Sequence, residues 1–260
     1  MVKWTDYLID KDHENSKLVK FNFSIPELDS LVEGFTTGEL ITVSGHTGQG
    51  KTTFTKTLAK QFGLANYPTL VFSFEDPPTR YLEPFKELEG CESIYLPKEL
   101  KTGSLDWIEN KVIEAKTKFN CQVVIIDHLH YIVDMNLNRN FSLNIGAAMR
   151  FLKSKIAIGL NQTVFIVCHQ EKVECGQEPS LETIRDSSFI GQESDMVLVV
   201  SRTPDETHLT SITGKRTPIP KNEQTFDKGL ATVKIEKARR TGVFRKSMIF
   251  QKVGMWLEGL

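Results

Sequence analysis

A chain of 260 residues with 40% hydrophobic and 25% charged residues carries ample material for a globular core. Its formal net charge of −1 excludes overall basicity as a route to nucleic acid and leaves only a local basic stripe for that purpose. Cys91, Cys121, Cys168 and Cys175 form neither a CxxC pair nor a zinc spacing, the N-terminus has no apolar signal region, and no stretch has the apolar length of a membrane span, so an intracellular protein with reduced thiols and no membrane partner is expected.

Residues 1–20 are polar, with Trp4, Tyr7 and Leu8 as an amphipathic start, and read as an arm or linker ahead of one domain covering 21–260. Apolar runs at 40–44, 69–74, 122–126, 163–168 and 195–200 read as strands. The central ones are apolar throughout, as a parallel sheet covered on both faces requires. Helical spacing lies between them. Phe54, Leu58, Phe62 and Ala65 share one face; Leu105, Ile108, Val112, Ala115 and Phe119 a second, opened by Ser104 as N-cap; Ile145, Met149, Leu152 and Ile156 a third. This alternation predicts a doubly wound α/β sheet. Residues 202–229, rich in Thr, Pro, Lys and Gly, read as a long loop or hairpin excursion, and 231–235, 247–251 and 255–258 as antiparallel strands added at one edge.

The chemistry concentrates between the first strand and the first helix. Gly45-His46-Thr47-Gly48-Gln49-Gly50-Lys51-Thr52 fits G-x-x-x-x-G-K-[ST] without mismatch, and Thr53 continues it into the helix. Glycines let successive backbone N–H groups turn inward as an anion nest, and the helix N-terminus adds its positive end. Lys51 supplies a point charge for the β- and γ-phosphates, and the Thr52 hydroxyl a ligand for Mg²⁺. Asp127, where four branched aliphatics end, is the expected second Mg²⁺ carboxylate. Glu75, at the exit of the second strand, is the candidate base for an attacking water, with Asp76 as its competitor.

These motifs occur in an order that resembles the RecA-type motor domain of the DnaB-family hexameric helicases, especially the phage primase-helicase and Twinkle branch. The likeness runs over residues 21–260: Leu28-Asp29 with Leu31 ahead of the first strand, Gly38-Glu39-Leu40 leading into the phosphate loop, Phe72-Ser73-Phe74-Glu75, Ile126-Asp127-His128, and Val167-Cys168-His169-Gln170. The resemblance implies a RecA-like fold, with a mostly parallel central sheet, helices on both faces and antiparallel C-terminal edge strands. It implies that Glu75 is catalytic and that His169, or else Gln170, senses the γ-phosphate. Arg185 and the small polar residues Ser187 and Ser188 fall where the family has a flexible loop facing single-stranded DNA, and Lys172 matches a basic position near the DNA channel. Lys237-Ala238-Arg239-Arg240-Thr241-Gly242 is similar to the family's K-x-R-x-x-G, whose arginine reaches the ATP of a neighbouring subunit; Arg239 is that residue, with Arg240 as fallback and Lys237 as companion.

The expectation is therefore a helicase motor that binds ATP or another nucleoside triphosphate with Mg²⁺, assembles as a homo-oligomeric, hexameric ring and moves on single-stranded DNA. No primase or helical collar region precedes the motor in the sequence. The chain is thus expected to be either a piece of a longer helicase or a minimal phage-type or mobile-element protein working with a separate primase or loader. The alternative is a non-helicase RecA-fold ATPase, either a recombination mediator or a KaiC-like regulatory module. A small-molecule kinase is disfavoured because no lid segment stands out.

Overall fold

The strands that read as apolar throughout do so because each serves two cores. In the computed structural model, which describes residues 18–133, 141–170, 180–184, 187–204 and 226–259, alternate residues of one strand face opposite layers. Val123 and Ile125 face one layer and Val124 and Ile126 the other. Phe165 and Ile166 divide in the same way, as do Leu198 and Val199.

The elements run β1 (Lys20–Phe21), α1 (Pro26–Val32), β2 (Phe35–Thr36), β3 (Leu40–Gly45), α2 (Lys51–Leu64), β4 (Thr69–Ser73), α3 (Pro78–Leu82), β5 (Ile94–Tyr95), α4 (Leu105–Phe119), β6 (Val123–Asp127), α5 (Phe141–Phe151), β7 (Thr163–His169), α6 (Ser187–Glu193), β8 (Met196–Pro204), β9 (Phe226–Ala238), β10 (Lys246–Val253) and β11 (Trp256–Gly259). A π-helical stretch, Leu152–Gly159, continues α5. The main sheet has nine strands in the order β11-β10-β9-β8-β3-β7-β6-β4-β5. From β8 to β5 the pairings are parallel; β9, β10 and β11 join antiparallel at the far edge. This is the doubly wound sheet with antiparallel C-terminal strands that the sequence predicts.

One layer is built on α2, whose Phe54, Leu58 and Phe62 are fully buried, together with an aromatic cluster in which Phe35 meets Phe165 edge-on at 5.3 Å. The opposite layer is built on α4 and α5 through Ile108, Val112, Ile145, Met149 and Leu152. Ser104 caps α4 as expected, accepting from the Trp107 N–H at 3.3 Å.

The domain takes up the chain from Val19, whose N–H reaches the Thr37 hydroxyl, while 1–17 lie outside the described residues. Within 202–229, the two flanks extend β8 and β9 as far as the Pro204–Phe226 pair, because ladder bonding carries residues of weak strand propensity, and 205–225 lie outside the described residues. Among the described residues, no helix is long and apolar enough to cross a membrane.

Candidate nucleotide site

Parallel strands deliver their C-terminal ends to one edge, and here four of them deliver chemistry to it. Gly45 ends β3, Ser73 ends β4, Asp127 ends β6 and His169 ends β7. Gly45 pairs in register with His169, and Ser73 with Asp127. The phosphate loop thus lies beside the β7 exit, and the Asp127 carbonyl accepts from the N–H groups of both Phe74 and Glu75. Residues far apart in sequence are brought together by sheet register alone.

The loop itself is shaped for anions. Gly48 and Gly50 hold φ of 78° and 99°, the left-handed region that glycine occupies without strain, and Gly50 is the N-cap of α2. Gly45 answers a different demand, since an added Cβ would collide with the Val200 carbonyl oxygen of β8. Gln49 ties the loop to the same strand by accepting from the Arg202 N–H at 2.6 Å. Thr47 is exposed, His46 and Thr53 are half-buried, and Lys51 is buried at 5% exposure with its ammonium on the His46 carbonyl at 3.0 Å. Burial lowers the Lys51 pKa, opposed by the negative charges of Glu75 and Asp127.

Asp127 is the most perturbed acid of the site. Burial, reinforced by the charge of Glu75, pushes its pKa up to about 7, against the pull of the Thr52 hydroxyl and the Lys51 charge. Its Oδ1 is buried and has no hydrogen-bond partner among the described residues. An acceptor oxygen left unsatisfied beside a threonine hydroxyl and an anion nest suits a hard divalent cation. The residues present therefore fit Mg²⁺. Among the described residues there is no cluster of three or more His, Cys, Asp or Glu side chains for a metal, and a Mg²⁺ completed by phosphate oxygens and water does not require one.

The structure separates the residues that the sequence left in competition. Glu75 is exposed at the site, whereas Asp76 is held by Lys56 at 3.0 Å. That lysine is itself buried, over the Tyr81 ring. His169 lies within reach of the Lys51 charge and makes an Nε2–Nε2 contact of 3.1 Å with His128. Gln170, one residue on, turns its amide to the Ser180 carbonyl at 3.3 Å.

Arg239 and Arg240 separate just as clearly. Arg240 donates to the carbonyls of Val32 and Gly34 at the end of α1 and to Glu39. Arg239 is half-exposed and bonds Asp195 Oδ1 at 3.2 Å and the Gln192 carbonyl at 2.8 Å. Lys237 donates to the Gly191 and Ser194 carbonyls at 2.6 Å, closing the end of α6. All three lie towards the start of β3, since Asp195 also accepts from the Leu40 N–H. Across the six residues of β3, at ~3.3 Å each, Arg239 is roughly 17 Å from the phosphate loop of its own chain.

Lys172 and Arg185 lie outside the described residues, as does the side chain of Ser187. Ser187 opens α6, a helix where the resemblance implies a flexible loop, and Ser188 is exposed on it. Sequence reasoning missed the structural weight of Asp195 and the grouping of His128 and His130 with His169. The signal available for the histidines was their position at or just after strand ends.

Residues 79–256, more than half of the chain, match the family described as DnaB-like helicase C terminal domain. The chain belongs to that family. Residues 22–91 also match the KaiC ATPase family, a stretch that takes in the phosphate loop and Glu75 but not Arg239. Among curated relatives, the replicative DNA helicase DnaB of Mycoplasma genitalium is 27% identical over 234 residues, covering 76% of this chain and 50% of that protein. The DNA helicase/primase of Enterobacteria phage T3 is 23% identical over 204 residues, covering 64% of this chain and 35% of that one. The chain thus spans about half or less of the length of these relatives. Two solved structures share the fold. One, described as an ATPase domain, superposes with a TM-score of 0.74 at 16% identity, covering 100% of this chain and 99% of that one. A DnaB-like replicative helicase, described together with its interactions with primase, superposes with a TM-score of 0.73 at 17% identity, covering 97% of this chain and 67% of that one.

Proposed function

We propose that this DnaB-like domain is the motor of a replicative DNA helicase, hydrolysing ATP or another nucleoside triphosphate where two subunits of a hexameric ring meet and so moving along single-stranded DNA. The observation that carries the reading is the meeting of the phosphate loop, Glu75, Asp127 and His169 at one sheet edge, in a chain of this family, with Arg239 about a strand length away.

The loop amides and the Lys51 ammonium bind the polyphosphate and offset its charge. The Thr52 hydroxyl and the Asp127 carboxylate would hold Mg²⁺, which when bound neutralises charge on the β- and γ-oxygens. Glu75 orients a water towards the γ-phosphorus and takes its proton as the new P–O bond forms. The β–γ bridging oxygen leaves with its electron pair as part of the diphosphate. His169 contacts the γ-phosphate, and Gln170 acts through the 180–184 segment. Arg239 serves the neighbour's triphosphate, because its own is out of reach. Lys172, Arg185, Ser187 and Ser188 are the proposed contacts to the DNA strand, by the family resemblance. A separate primase or loader is the expected partner of such a ring.

The test is triphosphate hydrolysis with and without single-stranded DNA. Lys51→Ala should abolish it. Arg239→Ala and Glu75→Gln should each be inactive alone, and mixing them should restore part of the activity at interfaces that pair an intact Glu75 with an intact Arg239. Full activity of either single variant refutes the shared site. Lack of any stimulation by DNA in an assembled ring favours the regulatory ATPase instead.

A further inference from the structure

His169 can offer a phosphate either a lone pair or an N–H, and its neighbours decide which. The backbone N–H of His130 donates to His128 Nδ1 at 3.3 Å, the capping contact of the turn after β6. That nitrogen is therefore an acceptor. A neutral imidazole carries one N–H, so His128 carries its proton on Nε2. His128 Nε2 lies 3.1 Å from His169 Nε2, and two like groups do not face each other at that distance, so His128 donates and His169 accepts. By the same count His169 carries its proton on Nδ1. That atom is buried and has no hydrogen-bond partner among the described residues.

Both rings are neutral near pH 7. A ring nitrogen that accepts a hydrogen bond carries no proton, so neither imidazole is the doubly protonated cation. A buried N–H without an acceptor is costly and rare in folded proteins. Here it sits in the register partner of Gly45, where the phosphate loop begins.

We infer that His128 is a positioning residue that fixes His169 in its Nδ1–H tautomer, so that His169 presents a donor, not a lone pair, to the terminal phosphate. The inference rests on the proposed contact between His169 and the γ-phosphate. A lone pair in that place would repel the anion, and the backbone of the β6 exit, acting through two imidazoles, prevents it.

Long-range proton–nitrogen NMR of the histidine-labelled chain, without nucleotide and near neutral pH, reads the tautomer directly. The expected result is a protonated Nδ1 and an unprotonated Nε2 on His169. His128→Gln keeps a side-chain N–H near the Nε2 position and should preserve that pattern. His128→Met has no donor and should release His169 to the other tautomer. Turnover in His128→Met should fall by about tenfold to a hundredfold, with triphosphate affinity within about threefold, and His128→Gln should recover most of the loss. A wild-type His169 protonated on Nε2, or an unchanged His169 tautomer in His128→Met, overturns the inference. The underlying contact is read separately by comparing a non-hydrolysable triphosphate analogue with the diphosphate. If His169 keeps its Nδ1–H and its signal is the same with both, the γ-phosphate contact is refuted while the tautomer assignment stands.

Discussion

Arg239 and Arg240 are adjacent in sequence, and replacing each in turn should give opposite phenotypes. Arg240 donates to the Val32 carbonyl at 2.8 Å, the Gly34 carbonyl at 2.7 Å and Glu39 at 3.1 Å. Glu39 is 8% exposed, and without Arg240 its carboxylate keeps, among the described residues, only the Thr36 N–H. Breaking a well-buried ion pair from one side costs ~3–5 kcal/mol, but the Arg240 side chain is 32% exposed and water will replace part of what is lost. Arg240→Ala should therefore destabilise the domain by about 2–3 kcal/mol and lower its Tm by about 5–10 °C. Any loss of hydrolysis should follow from unfolding and recover on cooling. Arg239→Ala removes a half-exposed contact to Asp195 and should leave Tm within about 2 °C while abolishing hydrolysis at every temperature. Thermal denaturation followed by circular dichroism, paired with phosphate release, separates the two. An Arg240→Ala chain with unchanged Tm and no activity, beside an active Arg239→Ala chain, would refute the assignment.

Asp127 makes the nucleotide-free protein sensitive to pH. Its carboxyl holds a proton up to about 7 in the folded state and, in the unfolded chain, only to its ordinary value of 3.8, so stability falls as pH rises from about 4 to 7. Asp127→Asn should flatten that slope in melts across the range, stabilise the nucleotide-free form above pH 7, and abolish Mg²⁺-dependent hydrolysis. Asp76→Asn should cost stability by stranding buried Lys56, with hydrolysis retained in whatever fraction folds, while Glu75→Gln should keep Tm and nucleotide binding and lose turnover. Gly45→Ala should push β3 from β8 and lower stability by about 1–3 kcal/mol in denaturant titration, whether or not nucleotide is present.

The sheet was legible in the sequence because the central strands are mostly apolar runs, most plainly Val123–Ile126 before Asp127, and α2, α4 and α5 keep a 3.6-residue stripe. Short pieces escaped. β1, β2 and β5 have two residues each, too few for any period, and α1 was read only as a motif. At the site, the phosphate loop announced itself by spacing. The choice between Glu75 and Asp76, or between Arg239 and Arg240, did not. It depends on who holds the other residue, and Lys56 and Glu39 lie 20 and 201 positions from their partners. Pairings over such separations leave no local trace.

The phosphate edge is built from positions 45, 73, 127 and 169, brought together by the ladders between β3, β7, β6 and β4. A partly folded chain with any one of those seams open has no complete site, so nucleotide recognises only the finished sheet. At a hundredfold excess over Kd, binding adds about 2.7 kcal/mol to the whole assembly of strands, not to one loop. On the proposed function the triphosphate would brace the sheet as well as drive the motor, and its removal should lower the stability of the whole domain rather than of one loop.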